Sequence, residues 1–313
     1  MHRSFGGEMI INVLLMLLMP FVFIGIVNKT KAVWAGRKGA PVWQPFSTFF
    51  KLLRKSEVQS RSTGFIFSIA PSIAVAAIFC AGLFVPFGYY RAILSFQGDF
   101  ILFAYLLALA KAVMVLSAMD TASSFEGMGA SRELSFTVFL EPAMFLVVAS
   151  LSYLGGLQSL SQLVAFHTIS IYDEWSVIIA ILTALALFIM LLVEGARVPF
   201  DDPNTHLELT MVHEVMVLDN SGINLAFIHY AAALKMLIYA SLISYFLIPW
   251  GQSVLLVTTL YLGIVVGLAI LTGLVECALA RFRMNRNLEF VAVPLSVAIL
   301  VLAALVAKHY GGI

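Results

Sequence analysis

Two stretches, LLALAKAVMVL and AAALKMLIYA, each hold one lysine in an otherwise apolar run, Lys111 and Lys235. A charge kept in hydrocarbon is costly and ordinarily faces a protein interior, a water-filled cavity or an opposite charge, so both lysines are candidates for ion or proton movement. Lys235 lies about nine residues into its run, too deep for full snorkelling to an interface. Ala231, Ala232 and Ala233 beside it permit close helix approach, so an interior position is expected. Asp120 follows Lys111 by nine residues, which on a continuous helix is about 13 Å, so a water or another acid would have to bridge them. Glu126, Arg132 and Glu133 come next, then Glu141 just before Pro142. Glu194 and Arg197 stand three apart, the spacing of a local helical ion pair.

The most polar stretch is VPFDDPNTHLELTMVHEVMVLDNSG, which supplies Asp201, Asp202, His206, Glu208, His213, Glu214 and Asp219. It has no basic residue between Arg197 and Lys235. Crowded carboxylates raise some of their own pKa values and histidine titrates near neutrality, so such a segment can relay protons. The plainer alternative is a solvated connector. A metal site is disfavoured: His213–Glu214 lacks the second histidine of an HExxH motif, and His206 and His213 bring no further ligand pattern. Cys80 and Cys277 are the only two cysteines, too few for an iron–sulfur cluster or a structural zinc site. No nucleophile elbow, P-loop or dinucleotide fingerprint is present, so the expectation is a chain with no complete catalytic site, no metal and no cofactor of its own.

The elements that must position these residues are set by composition. Of 313 residues, 61% are hydrophobic and 11% charged, against roughly 25% charged in soluble domains, which excludes a soluble enzyme. A net charge of +1 provides no basic field for nucleic acid. Apolar runs long enough to cross a bilayer lie near 9–27, 65–87, 100–118, 134–154, 176–196, 226–249, 253–275 and 289–308. The fold class expected is therefore an all-α polytopic membrane protein of eight transmembrane helices forming one membrane domain over 1–313. Thirteen basic residues fall in the connections after the odd-numbered spans and three on the other side, which predicts odd connections in the cytoplasm and both termini outside. Within the first connection, FSTFFKLLRK predicts an interfacial amphipathic helix, serving either as a lipid anchor or as a docking surface. No internal repeat of the secondary-transporter kind is visible.

Several of these segments carry a family resemblance. SAMDTASSFEGMGASREL with FLEP at 139–142, GRKGAPVWQPFSTFFKLLRKS at 36–56, EGARVPFDDPNTHLEL at 194–209 and ECALARFRMN at 276–285 resemble the membrane subunit of formate hydrogenlyase and related group 4 membrane-bound nickel–iron hydrogenases. That subunit is similar to the H subunit of respiratory NADH:quinone oxidoreductase. The resemblance implies a non-redox anchor in the bacterial or archaeal cytoplasmic membrane. It would carry a hydrogenase-like large subunit and an iron–sulfur small subunit on the cytoplasmic side and antiporter-like subunits laterally, with iron–sulfur clusters and a nickel–iron centre held by those partners. It further implies that Asp120, Arg132, Glu133, Glu141, Asp201 and Glu208 link redox events to proton or sodium movement. Lys111, Glu126, Glu194, Arg197, Asp202, His206, Glu214 and Lys235 join this candidate relay from the residues themselves. Arg37, Lys38, Lys51, Arg54, Lys55, Arg281 and Arg283 form the basic surface for partner or lipid docking. Asn204 and His206 depart from the family's acid-richer loop. The alternatives are a quinone-tunnel-framing subunit of a quinone-reducing relative and a free-standing secondary transporter.

Overall fold

The computed structural model describes residues 5–88, 92–155, 159–162, 174–202, 211–248 and 253–310. Among them are nine α-helices: α1 (Phe5–Trp34), α2 (Gln44–Leu53), α3 (Phe65–Gly82), α4 (Asp99–Asp120), α5 (Ser124–Gly155), α6 (Glu174–Glu194), α7 (Gly222–Leu247), α8 (Val254–Ala278) and α9 (Met284–Tyr310). A short 3-10 turn covers Glu214–Val217. All the helices except α2 contain an apolar span long enough to cross a membrane, which makes the chain a multi-pass membrane protein.

The eight spans overlap the eight apolar runs, and three of the shifts at their ends bear on the site. α1 runs on past Lys29 and Lys31 to Trp34, where Gly36 at φ +68° closes it. The Arg37 N–H bonds Ala32 O at 2.8 Å and the Gly36 N–H bonds Val33 O at 3.0 Å, a Schellman ending that only a left-handed residue completes without strain. α3 stops at Gly82, five residues before the apolar run ends. α5 starts at Ser124, so Glu126, Arg132 and Glu133 stand on a helix and not on the connection expected there. Ala122 at φ +56° turns the chain between α4 and α5.

α7 is the hub. Of its apolar window 78% is buried inside the protein, against 28–50% for the other spans. In lipid, apolar faces do not select one another, so polar contacts decide which helices pair. The Tyr230 hydroxyl of α7 bonds Met16 O of α1 at 3.1 Å, Ser241 of α7 meets the Tyr261 hydroxyl of α8 at 2.8 Å, and the Tyr245 hydroxyl donates to Gly88 O. The amphipathic segment forms α2 as expected. Its aromatic face packs in part on protein: Phe46 and Phe49 lie 5.4 and 5.3 Å from Phe21 of α1, and Phe49 lies 5.7 Å from Tyr230, while Phe46 and Phe50 stay exposed.

Candidate functional site

At the centre of the bundle the carboxylate of Glu194, the last residue of α6, accepts from two lysines. Lys111 Nζ of α4 lies 2.6 Å from Oε1 and Lys235 Nζ of α7 lies 3.0 Å from Oε2. Glu133 of α5 completes the group, its Oε1 3.7 Å from Lys111 Nζ. Side-chain exposure is 7–13% across the four residues, so the cluster is shielded from bulk solvent and its Coulomb energy is poorly screened. Four helices thus meet on two positive and two negative groups.

Small cavities flank the cluster on two sides. One of about 20 Å³ is lined by Lys111, Glu141, Glu194 and Tyr239; one of about 30 Å³ is lined by Lys111, Glu133, His213 and Lys235. Each exceeds the roughly 10–15 Å³ a water molecule needs and offers it polar partners. A third, of about 390 Å³, lies among α1, α2 and α7, bordered by Asn28, Gln44, Phe49, Arg197, Glu214, His229 and Tyr230.

The local Glu194–Arg197 ion pair does not form. α6 ends at Glu194, so the two no longer share a helical face. The chain leaves through a Schellman turn: the Arg197 N–H bonds Leu192 O at 2.8 Å and the Ala196 N–H bonds Val193 O at 3.0 Å, with Ala196 left-handed at φ +50°. Gly195 precedes it because a Cβ there would sit 2.7 Å from Met236 Cγ of α7. Arg197 is thereby aimed at Glu276 of α8 (Nη1–Oε1 3.3 Å), whose other oxygen takes Lys31 of α1 at 2.5 Å. Since a non-glycine left-handed residue costs roughly 1 kcal/mol, Ala196→Gly is expected to raise the thermal inactivation temperature of the detergent-solubilised protein by a few degrees, readable in a melting scan.

Asp120 does not bridge to Lys111; its Oδ2 accepts from the Gly64 and Phe67 N–H groups at 2.9 and 3.0 Å, capping α3. A carboxylate at a helix N-terminus satisfies orphan donors and the helix dipole together. Buried Glu126 accepts the Asp219 N–H at 3.0 Å, and Arg132 Nη1 donates to Met211 O at 2.7 Å. Asp201, fully buried, is a clamp: Oδ2 accepts the Val212 and His213 N–H groups at 3.0 Å each, while Oδ1 meets Arg281 Nη2 at 2.8 Å and the Asp202 N–H at 3.0 Å. Arg281, expected on the docking surface, is therefore turned inward. Arg37, Lys38, Lys51, Arg54, Lys55 and Arg283 are exposed. His206 and Glu208 lie outside the described residues.

Sequence reasoning missed Glu276 and Lys31 as site members and Asp99 as a structural acid, whose Oδ1 accepts the Leu160 N–H at 2.6 Å; His213 was noticed only as part of the polar segment. The signal for Glu276 was available, since it is a lone acid near the end of an apolar run. Cys80 and Cys277 sit on different helices, and among the described residues no group of three or more His, Cys, Asp or Glu is placed to hold a metal ion.

His213 and Glu214 titrate in opposite senses. Burial, then Lys235, pushes the His213 pKa down to about 4; burial, then Asp201, pushes Glu214 up to about 7 against the pull of Arg197. The folded state binds fewer protons at His213, so that contribution to stability grows as pH rises from about 4 to 6.5. It binds more at Glu214, so that contribution falls as pH rises from about 4.5 to 7. The two slopes oppose each other in the native chain. Glu214→Gln is expected to expose the rising slope and His213→Gln the falling one, in melting scans compared with wild type across this range.

A family model described as NADH dehydrogenase matches residues 8–306. The chain belongs to the NADH dehydrogenase family. Within this family it is a membrane subunit of the complex I-like respiratory type. Hydrogenase-4 component C of Escherichia coli (strain K12) is 29% identical over 279 residues, covering 87% of this chain and 86% of that protein. Formate hydrogenlyase subunit 4 of the same strain is 27% identical over 272 residues, covering 83% and 86%. Among solved structures, a chain of the membrane-bound sulfane sulfur reductase (MBS), an archaeal respiratory membrane complex, superposes with a TM-score of 0.78. It shares 21% identity and covers 96% of this chain and 99% of that one, so the NADH dehydrogenase family fold is common to both.

Proposed function

We propose that this chain couples electron transfer in a hydrogenase-type, complex I-like membrane complex to proton or sodium movement, and that it anchors the complex's hydrophilic arm. The observation that carries the coupling is the Glu194 carboxylate shared by Lys111 and Lys235 between two water-sized cavities. In a cluster shielded from bulk solvent the gain or loss of one proton changes the energy of every neighbouring charge, so protons advance stepwise rather than independently. The names of the two Escherichia coli relatives support the hydrogenase assignment. On this reading a hydrogenase-like large subunit and an iron–sulfur small subunit dock over the exposed Arg37, Lys38, Lys51, Arg54, Lys55 and Arg283, on the cytoplasmic side of a bacterial or archaeal membrane, with both termini outside. Antiporter-like subunits pack laterally, and the iron–sulfur clusters and nickel–iron centre belong to the partners.

Glu141 lines the smaller cavity together with Lys111 and Glu194. Glu141→Gln in the intact complex, reconstituted in liposomes and driven with reduced methyl viologen, is expected to cut protons moved per hydrogen evolved about tenfold. Undiminished pumping by that variant would overturn the relay.

A second reading, a frame for a quinone tunnel, is favoured by the 390 Å³ chamber, whose size and mixed lining suit a small amphipathic ligand. Purified complex would then reduce decylubiquinone, and Ala233→Phe, which projects into the chamber, would abolish that activity.

A further inference from the structure

His213 and Glu214 are neighbours in the chain but line different cavities. His213 borders the 30 Å³ cavity with Lys111, Glu133 and Lys235; Glu214 borders the 390 Å³ chamber with Arg197 and His229. The dipeptide is pinned from behind, because Asp201 accepts the His213 N–H at 3.0 Å and is itself held by Arg281 at 2.8 Å. The 3-10 turn Glu214–Val217 begins at the second residue of the pair, so the backbone between the two cavities is fixed at both ends. We propose that His213 is a proton-transfer residue between the chamber bordered by Glu214 and the buried cavity bordered by Glu133. The inference rests on the relay proposed above and adds its inlet.

The step balances without electron movement. The Glu214 carboxyl loses its O–H proton to one imidazole nitrogen. The other imidazole nitrogen releases its proton, through the water the cavity has room for, to the Glu133 carboxylate. Exchange of the ring tautomer resets the group. A relay histidine must rest neutral, with one donor and one acceptor nitrogen, and the groups around the ring keep it so. Lys111 of α4 and Lys235 of α7 oppose a third positive charge, while Glu133 of α5, Glu194 of α6 and Asp201 limit the energy of transient protonation. Burial acts with the lysines, holding the His213 pKa at about 4, and Glu214 at about 7 is a carboxyl that carries a proton near neutrality. A histidine that only filled space would need none of this charge balance.

The test uses the intact complex in liposomes with reduced methyl viologen as reductant, hydrogen evolution as turnover and a pH-sensitive dye for proton movement. His213→Gln and His213→Ala are expected to lose about tenfold or more in protons moved per hydrogen. Added imidazole, which fits the space the alanine variant opens, is expected to restore pumping in His213→Ala and not in Glu194→Gln. Wild-type pumping by His213→Gln, with Glu194→Gln still defective, overturns the role of His213 and leaves the relay standing. Wild-type pumping by both variants overturns the relay as well. Loss in both His213 variants without imidazole rescue, in complexes that co-purify intact, marks a packing role and also overturns the inference.

Discussion

Glu194→Gln is expected to lower proton movement by the intact complex about a hundredfold and to destabilise the chain itself. The size of the effect follows from the carboxylate's two partners, Lys111 at 2.6 Å and Lys235 at 3.0 Å. Removing its charge leaves two buried ammonium groups facing a single acid, Glu133, which lies 3.7 Å from Lys111. Breaking a buried ion pair from one side costs about 3–5 kcal/mol, because the remaining charge is neither solvated nor compensated. The same accounting predicts a remedy for stability and none for function. Adding Lys235→Met restores the balance to one lysine and one acid, so the double variant is expected to recover about half of the lost stability. Pumping stays absent, since the shared carboxylate is gone. Melting scans of the two single variants and the double variant form the cycle that checks this; additive losses would show that Glu194 and Lys235 are not energetically coupled.

The second large effect is expected at Glu276→Gln. Glu276 has a fully buried side chain and joins Lys31 of α1 to Arg197 beyond the end of α6. Without its charge the Lys31 ammonium and the Arg197 guanidinium repel across a gap that lipid cannot solvate. Lys31 retains 25% exposure and finds water, so the cost lies near the lower end, about 3 kcal/mol. The variant is expected to lose helix α1 from its neighbours first, read as faster protease cleavage in the connection at 35–43 while cleavage elsewhere is unchanged. Equal acceleration everywhere would mean that the contact stabilises the whole bundle and not this corner.

The eight spans were legible in the sequence because lipid imposes a single requirement, about twenty apolar residues per crossing, and the chain meets it eight times. The buried lysines were legible for the same reason in reverse, since a lone charge in such a run must find an internal partner. Which partner it finds depends on helix packing. Spacing along one helix put Asp120 out of direct reach of Lys111 and called for a water or another acid, but only the bundle names that acid as Glu194, 83 residues away. Glu194 and Arg197 had helical spacing, yet a turn of left-handed Ala196 separated them. Asp120, Asp201 and Glu126 were recognised as acids worth noticing, and the structure shows that each of them accepts backbone N–H groups. Composition signals such a carboxylate without distinguishing a cap from a proton carrier.

The Schellman turn after α6 has a mechanical consequence. Only Gly195 and Ala196 separate the carboxylate held by Lys111 and Lys235 from the guanidinium held by Glu276, and this tight turn has little slack to absorb a displacement. A displacement of Glu276 on α8 would act on Arg197 through their ion pair and, through that tight turn, on Glu194 between its two lysines. The turn therefore ties the two buried ion clusters into one mechanical unit.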